Sequence, residues 1–523
     1  MKVLTADQVR HAEELGHTGG VSYETMMETA GTNAAKLIAE DIGKNRLHLT
    51  FVCGKGKNGG DGFVAARWIC ENTQHRVSMI LALGEPNDAM SQAMLAKLKA
   101  TNAELIDYHE APGQALESIA KANIIVDALF GIGLAGEVRG AAREVIEHIN
   151  KLKNFVYALD IPSGLLCDSN TLPPCNVKAD LTVTMLAPKP ALVMKPTSFS
   201  CGKVLIAGIG IPEACVEQAG CAFFVADKKE LRQDFPPRAY DAHKGCFGHV
   251  LCVCGSYQMP GAAVLAAKAA LSSGAGLVSA AFPSPAYPAI TAHLVESVFL
   301  PVDANENGRF SARETEKILN AAQKASVVLL GCGMGTDGDT ASLTRAIIKN
   351  VTCPLILDAD GINIVASDIH MLKEAKGQIV MTPHPGEMAR LCGTTTERVN
   401  ENRQETAKAF AREHNVTLLL KGANTVIAAP DGTCYMNPTG VPALARGGSG
   451  DVLSGIIAAF AAQGLSPLRA CVAGAYFHGA AAEGIHSRMG GILSGPEHLA
   501  SSIPGLIFGL FADECSGLNR LPD

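Results

Sequence analysis

The stretch Arg446-Gly-Gly-Ser-Gly-Asp-Val-Leu-Ser-Gly455 leads from a glycine-rich loop into the apolar run VLSGIIAAFAA. This pattern predicts a buried helix that begins at Asp451, with glycines placed at its start. Free N–H groups at a helix start attract an anion. A carboxylate in that position can accept a proton from an alcohol as the alcohol attacks a phosphoryl group. The competing interpretation of Asp451 is a plain helix N-cap.

Buried strand patterns alternate with helical patterns upstream of this loop. The predicted strands lie at His249–Gly255, Val327–Leu330, Leu355–Leu357, Ile379–Met381 and Thr417–Leu420. A helix of small residues is predicted over Gly261–Ser273. Because buried β-rich runs separated by helices are typical of a parallel sheet covered on both faces, we expect an α/β domain here.

The N-terminal half shows the same alternation. Its predicted strands lie at Leu49–Cys53, Val77–Leu83, Ile124–Asp127, Phe155–Leu159 and Leu181–Met185. A helix is predicted over Phe63–Cys70, after the glycine-rich segment GKGKNGGDG. A chain of 523 residues is too long for one compact core, and a charged, proline-containing segment near Ala226–Pro237 separates the two blocks. We therefore expect two domains, residues 1–225 and 226–523.

Composition excludes several classes of protein. The net charge is −7, which argues against a general nucleic-acid or membrane-surface partner. The charge-poor stretch Leu271–Leu294 contains three prolines, so a membrane-spanning helix is not expected there. The N-terminus carries charges where a secretory signal would be apolar. The 16 cysteines are scattered, and we expect free thiols in a cytoplasmic enzyme.

Polar residues follow several predicted strands of the N-terminal block. Asp127, Asp160 and Ser163 lie at strand ends, and Asn58 lies in the glycine-rich segment. Ligands bind at the carboxyl ends of strands in an open α/β sheet. Asn58, Asp127 and Ser163 offer only oxygen ligands, which suits a hard, weakly held cation rather than zinc. The alternative is that these residues are helix caps and turn residues.

Four motifs in order, CGKGKNGGDG, DALFGIG, LDIPSG and TVTMLAPKPAL, resemble the NAD(P)H-hydrate epimerase family, the YjeF N-terminal domain. The resemblance implies a Rossmann-like three-layer αβα domain and a potassium ion held by Asn58, Asp127 and Ser163. It implies that the hydrate is contacted by Lys57, Asn58, Gly59, Gly60, Asp61, Gly131, Ile132, Gly133, Leu134, Ala135, Gly136, Glu137 and Asp160.

Chemistry at C6 of the hydrate needs an acid–base group, and the motif makes Asp160 the best-placed candidate. Lys189 either assists Asp160 or is a solvated or structural lysine. The glycine-rich segment departs from the family by having Lys55 and Lys57 where Pro and Asn are frequent. These lysines either strengthen phosphate contacts or are solvated.

The helix start Gly-Ser-Gly-Asp resembles the ribokinase-like superfamily, in which the aspartate is the catalytic base. Seven motifs, HKGCFGHVLCVCGS, GAAVLAAKAALSSGAGLV, GCGMG, LDADGIN, TPHPGEMARL, LKGANTVIAAPDG and NPTG, narrow the resemblance to the ADP- or ATP-dependent NAD(P)H-hydrate dehydratases, the YjeF C-terminal family. Two departures are Cys332, where Pro is common, and Ser449, where Thr is common. The implied fold is a ribokinase-like α/β domain.

This second resemblance implies a role for several residues. Asp451 would be the catalytic base, and Glu387 is a candidate anchor for a magnesium–water network. The nucleotide would be bound by Lys421, Gly422, Ala423, Asn424, Thr425, Gly448, Ser449 and Gly450. The hydrate would be bound by Ala263, Gly333, His384 and Asp451. The competing interpretation of His384, which lies between two prolines, is that it braces a turn.

Together the two halves imply a bifunctional enzyme that epimerises NADH and NADPH hydrates and dehydrates the S form, consuming ADP in preference to ATP, with Mg²⁺ and K⁺. We expect a homo-oligomer. The apolar stretch IPGLIFGLF near the C-terminus is either the last core helix or an interface, and we expect the core helix. The alternative function is a ribokinase-like kinase of a vitamin alcohol, fused to a non-catalytic binding domain.

Overall fold

The computed structural model describes residues 1–489 and 495–511. It divides into two compact units, Met1–Phe224 and Val225–Asp523. Each unit is an α/β domain with its own sheet, as the alternation of patterns predicts. The described cysteines are free thiols, and no helix in the described ranges is long and apolar enough to cross a membrane.

The first unit is built on a seven-stranded parallel sheet. The unit as a whole has nine strands in the described residues: β1 (Lys2–Val3), β2 (His48–Cys53), β3 (Arg76–Leu81), β4 (Glu104–Asp107), β5 (Ile124–Ala128), β6 (Phe155–Leu159), β7 (Leu181–Met185), β8 (Lys203–Ala207) and β9 (Phe223–Phe224). The sheet order is β4-β3-β2-β5-β6-β7-β8, while β1 and β9 form a short antiparallel pair. The order reverses between β2 and β5, where an open α/β sheet forms its ligand crevice.

Helices cover both faces of this sheet. They are α1 (Ala6–Thr18), α2 (Tyr23–Ile42), α3 (Lys57–Asn72), α4 (Ala89–Lys99), α5 (Pro112–Lys121), α6 (Gly140–Ile149), α7 (Pro190–Val193) and α8 (Glu213–Gln218). Neighbouring residues of β2 enter different cores: Phe51 packs with α2, α3 and α4, whereas Val52 packs with α5 and α6. Successive side chains of a strand point to opposite faces, so this central strand is apolar throughout.

The second unit contains a larger, mixed sheet. Its strands are β10 (His249–Val253), β11 (Leu277–Pro283), β12 (Val298–Val302), β13 (Val327–Leu330), β14 (Leu355–Leu357), β15 (Ile379–Met381), β16 (Thr417–Leu420), β17 (Val426–Ala428) and β18 (Cys434–Met436). The order within the unit is β18-β17-β16-β15-β14-β13-β10-β11-β12. In this sheet order, each neighbouring pair from β16 through to β12 is parallel. Strand β17 pairs antiparallel with both β16 and β18.

The helices of the second unit are α9 (Lys228–Asp234), α10 (Pro260–Ser272), α11 (Tyr287–Thr291), α12 (Thr315–Ala322), α13 (Gly338–Asn350), α14 (Asp360–Ser367), α15 (Pro385–Leu391), α16 (Thr396–Glu401), α17 (Arg403–His414), α18 (Ser449–Ala462), α19 (Pro467–Met489) and α20 (Glu497–Gly509). Short 3₁₀ helices lie at Lys244–Phe247, Ser284–Ala286, Ala312–Glu314, Ile369–Glu374 and Pro442–Leu444 in this unit, and at Thr197–Ser200 in the first unit. Helix α18 packs most extensively on α10, and its residues from Val452 to Ala462 are all buried.

Two predicted helix starts are wrong. Helix α3 begins at Lys57 rather than at Phe63, because the glycines there are packing positions inside the helix. A Cβ on Gly59 would lie 2.0 Å from the carbonyl oxygen of Gly54, and one on Gly60 would lie 2.7 Å from Cε of Met27. Helix α18 begins at Ser449 rather than at Asp451, with Gly448 as its N-cap in the left-handed conformation.

The C-terminal apolar stretch is not the core helix that we expected. Helix α20 buries Leu499, Ala500 and Ile503, but the positions after Ile503 are exposed or half-buried, and Phe508 is 62% exposed. The charge-poor stretch Leu271–Leu294 owes its composition to β11, a strand with a neighbour on each side.

Two candidate active sites

A cavity of about 560 Å³ opens at the carboxyl ends of the strands of the first unit. Nine of the predicted contact residues line it: Lys57, Asn58, Asp61, Gly131, Ile132, Gly133, Leu134, Ala135 and Asp160. The remaining predicted contacts do not line it: Gly59 and Gly60 pack inside α3, and Gly136 and Glu137 lie further along the exposed loop. The cavity also has an apolar wall that the motifs did not predict, formed in part by Met26, Met27, Leu83 and Met90.

Asp160 and Lys189 form a buried ion pair at the base of this cavity. Nζ of Lys189 lies 2.5 Å from Oδ1 of Asp160, and the lysine side chain is fully buried. Lys189 also donates to Oγ1 of Thr184 at 2.8 Å and to the carbonyl of Met185 at 2.7 Å. The burial excludes the interpretation of Lys189 as a solvated lysine and places its ammonium group against the candidate acid–base residue.

The second carboxylate oxygen of Asp160 faces the loop after β5. It accepts the N–H of Ile132 at 3.2 Å. A Cβ on Gly131 would lie 2.7 Å from the same oxygen and 3.3 Å from Cβ of Asn58, so only glycine leaves room there. Asp160 itself has a φ of 66°, a left-handed conformation that is uncommon for a non-glycine residue and typical of functional sites.

Two further carboxylates line the cavity. Burial raises the pKa of Asp61 well above its ordinary value, and the charges of Asp160 and Glu13 raise it further. Burial also raises the pKa of Glu13, against the nearby charge of Lys57. Glu13 comes from α1, far from the motifs in sequence, and only its place on an amphipathic helix could have suggested that it points inward.

Two of the three oxygen-bearing residues predicted to hold a cation, Asp127 and Ser163, contact each other. Ser163 donates from Oγ to Oδ1 of Asp127 at 2.6 Å and from N–H to Oδ2 at 2.8 Å. Burial raises the pKa of Asp127 to about 6, against these hydrogen bonds. Asn58 donates to the carbonyl of Leu159 at 3.2 Å, while its Oδ1 is buried and has no hydrogen-bond partner within the described residues.

In the second unit, Asp451 occupies the third position of α18. Gly448 is the N-cap, so the interpretation of Asp451 as a plain N-cap is wrong. Burial, and then the negative charge of Asp358, raise the pKa of Asp451 to about 7, against a hydrogen bond from Cys332 and the charge of Lys421. A carboxylate that titrates near neutrality is suited to act as a general base.

Asp358 lies beside Asp451 and accepts hydrogen bonds from Lys421, Ser454 and, at 3.9 Å, Sγ of Cys332. Nζ of Lys421 lies 2.8 Å from Oδ1 of Asp358, and Oγ of Ser454 lies 2.7 Å from Oδ2. Sγ of Cys332 and one carboxylate oxygen each of Asp358 and Asp451 all lie within 4.8 Å of one another. Burial acts to raise the pKa of Asp358, but Lys421 and the hydrogen bonds outweigh it and hold the pKa below its ordinary value. Asp358 stands in the motif LDADGIN but was not among the site residues predicted from the sequence.

The predicted nucleotide-binding residues lie on two loops that meet at Lys421. A Cβ on Gly450 would lie 3.4 Å from Nζ of Lys421, which places the lysine beside the first turn of α18. Gly422, Ala423, Asn424 and Thr425 form the connection between β16 and β17. Within it, Oγ1 of Thr425 donates to the carbonyl of Gly422 at 2.9 Å.

His384 and Glu387 cap helix α15. Nδ1 of His384 accepts the N–H groups of Gly386 and Glu387 at 3.0 and 3.3 Å, while Oε2 of Glu387 accepts the N–H of His384 at 2.8 Å. The structure thus shows His384 bracing a turn, and half of its side chain remains exposed. Burial and the charge of Lys421 lower the pKa of His384, so the ring is neutral near pH 7.

Ala263 and Gly333 lie on two sides of one tight contact between loops and α10. A Cβ on Gly333 would lie 2.8 Å from Cβ of Ala262, and a Cβ on Gly255 would lie 2.9 Å from Cβ of Ala263. Since Gly333 follows Cys332 directly, this small-residue surface adjoins the carboxylates of Asp358 and Asp451.

Two family models match the chain, one in each unit. Residues 250–504 match a family model described as NAD(P)H-hydrate dehydratase, and residues 23–191 match one described as YjeF-related protein N-terminus. The bifunctional NAD(P)H-hydrate repair enzyme Nnr of Moorella thermoacetica is 39% identical over 474 residues, which cover 88% of this chain and 87% of that protein. This chain belongs to the bifunctional NAD(P)H-hydrate repair enzyme family.

Other members of the repair-enzyme family show the same span. The protein of that name from Thermofilum pendens is 34% identical over 486 residues, with 92% of each chain covered. A crystal structure of the ADP/ATP-dependent NAD(P)H-hydrate dehydratase of Bacillus subtilis, co-crystallised with ATP and Mg²⁺, is 28% identical and covers 55% of this chain and 99% of its own, with a TM-score of 0.48. Because the repair-enzyme matches span both units, they favour hydrate repair over the vitamin-alcohol kinase as the function.

Proposed function

We propose that residues 1–225 interconvert the two C6 epimers of NADH and NADPH hydrates and that residues 226–523 dehydrate the S epimer at the expense of ADP. One observation carries the proposal: the first turn of α18 brings a base that titrates near neutrality, Asp451, together with a glycine loop and the ammonium group of Lys421. Family membership supports the choice of substrate.

Dehydration needs a better leaving group than the C6 hydroxyl. Asp451 takes the hydroxyl proton while the oxygen attacks the terminal phosphoryl group of ADP, so that a C6–O–P bond forms and AMP leaves. The N–H groups at the start of α18, on Ser449 and Gly450, stabilise the charge of the transferring group. Loss of phosphate from C6 and of a proton from C5 then restores the double bond of the dihydronicotinamide ring.

The nucleotide lies, in this proposal, between the loop Lys421–Thr425 and the start of α18. Lys421 is a cation between the two elements: it begins the loop, and its Nζ contacts Asp358 and lies beside Gly450. Mg²⁺ accompanies the phosphates, which commonly supply its ligands along with water. Glu387 is engaged in capping α15, so its role as a magnesium anchor rests on the resemblance alone. The preference for ADP over ATP likewise rests on the resemblance.

Epimerisation uses the Asp160–Lys189 pair as acid and base. The ammonium group of Lys189 protonates the C6 hydroxyl, water leaves, and the lone pair of N1 forms a C6=N1 iminium. Water then adds to the opposite face of C6 while Asp160 accepts its proton, and transfer of that proton to Lys189 restores the pair. The 2.5 Å contact between the two groups allows this return.

Asn58, Asp127 and Ser163 fit a potassium ion by their chemistry. The buried Oδ1 of Asn58, which has no partner within the described residues, and the carboxylate of Asp127 are hard oxygen donors. A bound cation there would supply positive charge that orients the hydrate at the strand ends. The residues themselves fix the loop after β5, since Oγ of Ser163 accepts the N–H of Phe130 at 2.9 Å.

The proposal is tested by mixing the full chain with both epimers of NADH hydrate, Mg²⁺, K⁺ and either ADP or ATP, and following absorbance at 340 nm. We expect full recovery from both epimers with ADP. Asp451→Ala should lower the rate of recovery by about 10³-fold, within the range for loss of a general base. Asp160→Asn should recover only the fraction that starts as the S epimer.

Each arm has an outcome that contradicts one part of the proposal. Failure of the wild-type chain with both nucleotides would exclude hydrate dehydration, and partial recovery by the wild type would exclude epimerisation. Replacement of K⁺ by tetramethylammonium, which these oxygens cannot coordinate, should slow the recovery of the R epimer alone. An equal rate in both salts would remove potassium from the proposal.

A further inference from the structure

Arg403, the first residue of α17, contacts the end of β16 and the loop that follows it. Its Nη1 donates to the carbonyl of Ala423 at 2.6 Å, and its Nη2 donates to the carbonyls of Leu420 and Lys421, both at 3.0 Å. Three of the four carbonyls from residue 420 to residue 423 therefore point at one guanidinium group. None of the family motifs includes Arg403.

Within the described residues, the charge of Arg403 has no carboxylate partner. Burial lowers the pKa of Arg403, and its Nε is buried with no hydrogen-bond partner within the described residues. Other partly buried arginines of this unit are paired with acids: Arg469 lies against Glu230 and Asp234. Arg403 is half-buried, and a partly buried cation without a counter-charge is unfavourable, so a balancing anion is expected close by.

The loop is shaped to fit the guanidinium group. Gly422 has a φ of 149°, and a Cβ on it would lie 2.6 Å from Nη2 and 2.8 Å from Nη1 of Arg403. Any other residue at 422 would therefore push the loop off the guanidinium. The backbone N–H of the neighbouring Lys421 donates to the carbonyl of Pro383 at 2.8 Å, and Nζ of Lys421 donates to Asp358. Arg403 thus completes the set of contacts that hold Lys421.

We propose that Arg403 is a positioning residue for the nucleotide: it holds the carbonyls of residues 420–423 away from the phosphates, and the bound nucleotide supplies the anion that balances its charge. This inference rests on the proposed nucleotide-dependent dehydration. A planar guanidinium can donate to three carbonyls at once in a fixed geometry, which an ammonium cannot do. The proposal therefore requires arginine, and a lysine at this position should not replace it.

The test measures the dehydration rate against ADP concentration for the full chain carrying Arg403→Met or Arg403→Lys. We expect KM for ADP to rise at least tenfold in both variants, the scale of losing hydrogen bonds that involve a charged group. The value of kcat should fall by less than about threefold, because Asp451 and the start of α18 are unchanged. Epimerisation by the same polypeptide should stay at the wild-type rate, which shows that the first unit is unaffected, and the retained kcat shows that the second unit is folded.

Arg345→Met is the matched control. Arg345 is an arginine of the same unit whose guanidinium pairs with Asp368 and Glu374, so its loss should leave KM for ADP unchanged. An unchanged KM in Arg403→Lys would overturn the inference, as would a fall in kcat with KM unaltered. If Arg403→Met does not fold, Arg403→Lys decides. Absence of dehydration by the wild-type chain would instead contradict the proposed function.

Discussion

The two sites place a lysine beside a carboxylate in different ways. In the first unit, Lys189 contacts Asp160, the candidate acid–base residue itself, at 2.5 Å. In the second unit, Lys421 contacts Asp358, the neighbour of the candidate base, and no cation of residues 1–489 and 495–511 pairs directly with Asp451. Similar side chains, at the carboxyl ends of strands in similar sheets, therefore give different electrostatics.

The difference matches what each reaction needs. A reversible exchange at C6 needs a donor and an acceptor that return a proton to each other, and the Asp160–Lys189 contact provides both. A one-way transfer of a phosphoryl group needs a carboxylate that binds the alcohol's proton firmly. The charge of Asp358 next to Asp451 raises the affinity of Asp451 for that proton. The two proposed roles thus differ in the partner of the lysine. Lys189 contacts the candidate acid–base residue itself, whereas Lys421 contacts the neighbour of the candidate base.

The largest expected effect comes from breaking the contact in the first unit. Lys189→Met should lower the epimerisation rate by a factor of 10² or more and leave dehydration of the S epimer unchanged, because only the first unit loses its proton donor. The two rates are measured separately by NMR exchange between epimers and by absorbance at 340 nm.

Folding must be separated from chemistry in this variant, since it leaves Asp160 buried without its cation. The double variant Asp160→Asn/Lys189→Met removes both charges and should recover the melting temperature but not the activity. Lys178→Met, at an exposed lysine, is the control for loss of a charge. Epimerisation by Lys189→Met at the wild-type rate would show that the contact is structural only.

Much of each site was predictable because a parallel sheet brings its strand ends together. Asn58, Asp127, Asp160 and Ser163 were chosen as residues that follow buried strands. The structure places Asn58 and Asp160 in the lining of the cavity, and it places Asp127 and Ser163 in contact with each other. The strands themselves were predictable where the run was long and apolar. The strand β12 was missed although its sequence VFLPV is apolar: the run is short and contains a proline, and its residues are mostly half-exposed at the edge of the sheet.

The sequence did not predict hydrogen bonds between segments that are far apart along the chain. Asp358 and Lys421 are 63 residues apart, and Arg403 meets its loop through carbonyls, which carry no side-chain pattern. The start of α3 was placed too late because glycine is a poor helix former. Close packing of Gly59 against Gly54 outweighs that preference, and packing is a property of the folded chain.

A smaller effect is expected when the neighbour of the base is neutralised. Asp358→Asn removes the like charge beside Asp451, so the pKa of Asp451 should fall from about 7. The dehydration kcat/KM of the wild type should rise with pH and level off above about 7, as the base loses its proton. In Asp358→Asn the midpoint of that rise should move down by roughly one pH unit, with a lower plateau because Lys421 loses its partner.

The control for this shift is Ser454→Ala, which removes a hydrogen bond from Asp358 but keeps both carboxylates. Its midpoint should stay within a few tenths of a unit of the wild-type value. A midpoint that stays near 7 in Asp358→Asn would mean that burial alone sets the pKa of Asp451. The charge of Asp358 would then not account for the difference between the two sites.

The smallest expected effect is on stability. Because the pKa of Asp451 in the folded chain is about 7 and lies above its ordinary value of 3.8, the folded chain binds more protons than the unfolded chain between these two pH values. Stability therefore falls as pH rises through that window, and the full cost is present above pH 7. Asp451→Asn carries no such cost. It should exceed the wild type at pH 8 by on the order of 2 kcal/mol, a few degrees in melting temperature, while losing activity.

The measurement is a pair of thermal melts, at pH 8 and at pH 5, without nucleotide so that binding does not add to stability. The advantage of Asp451→Asn should shrink at pH 5, where Asp451 is already protonated in the folded chain. Asp303→Asn, at an exposed carboxylate, should show the same small difference at both pH values. An Asp451→Asn variant that is less stable than the wild type at pH 8 would mean that the carboxylate is stabilised where it lies, which would make the second site as well compensated as the first.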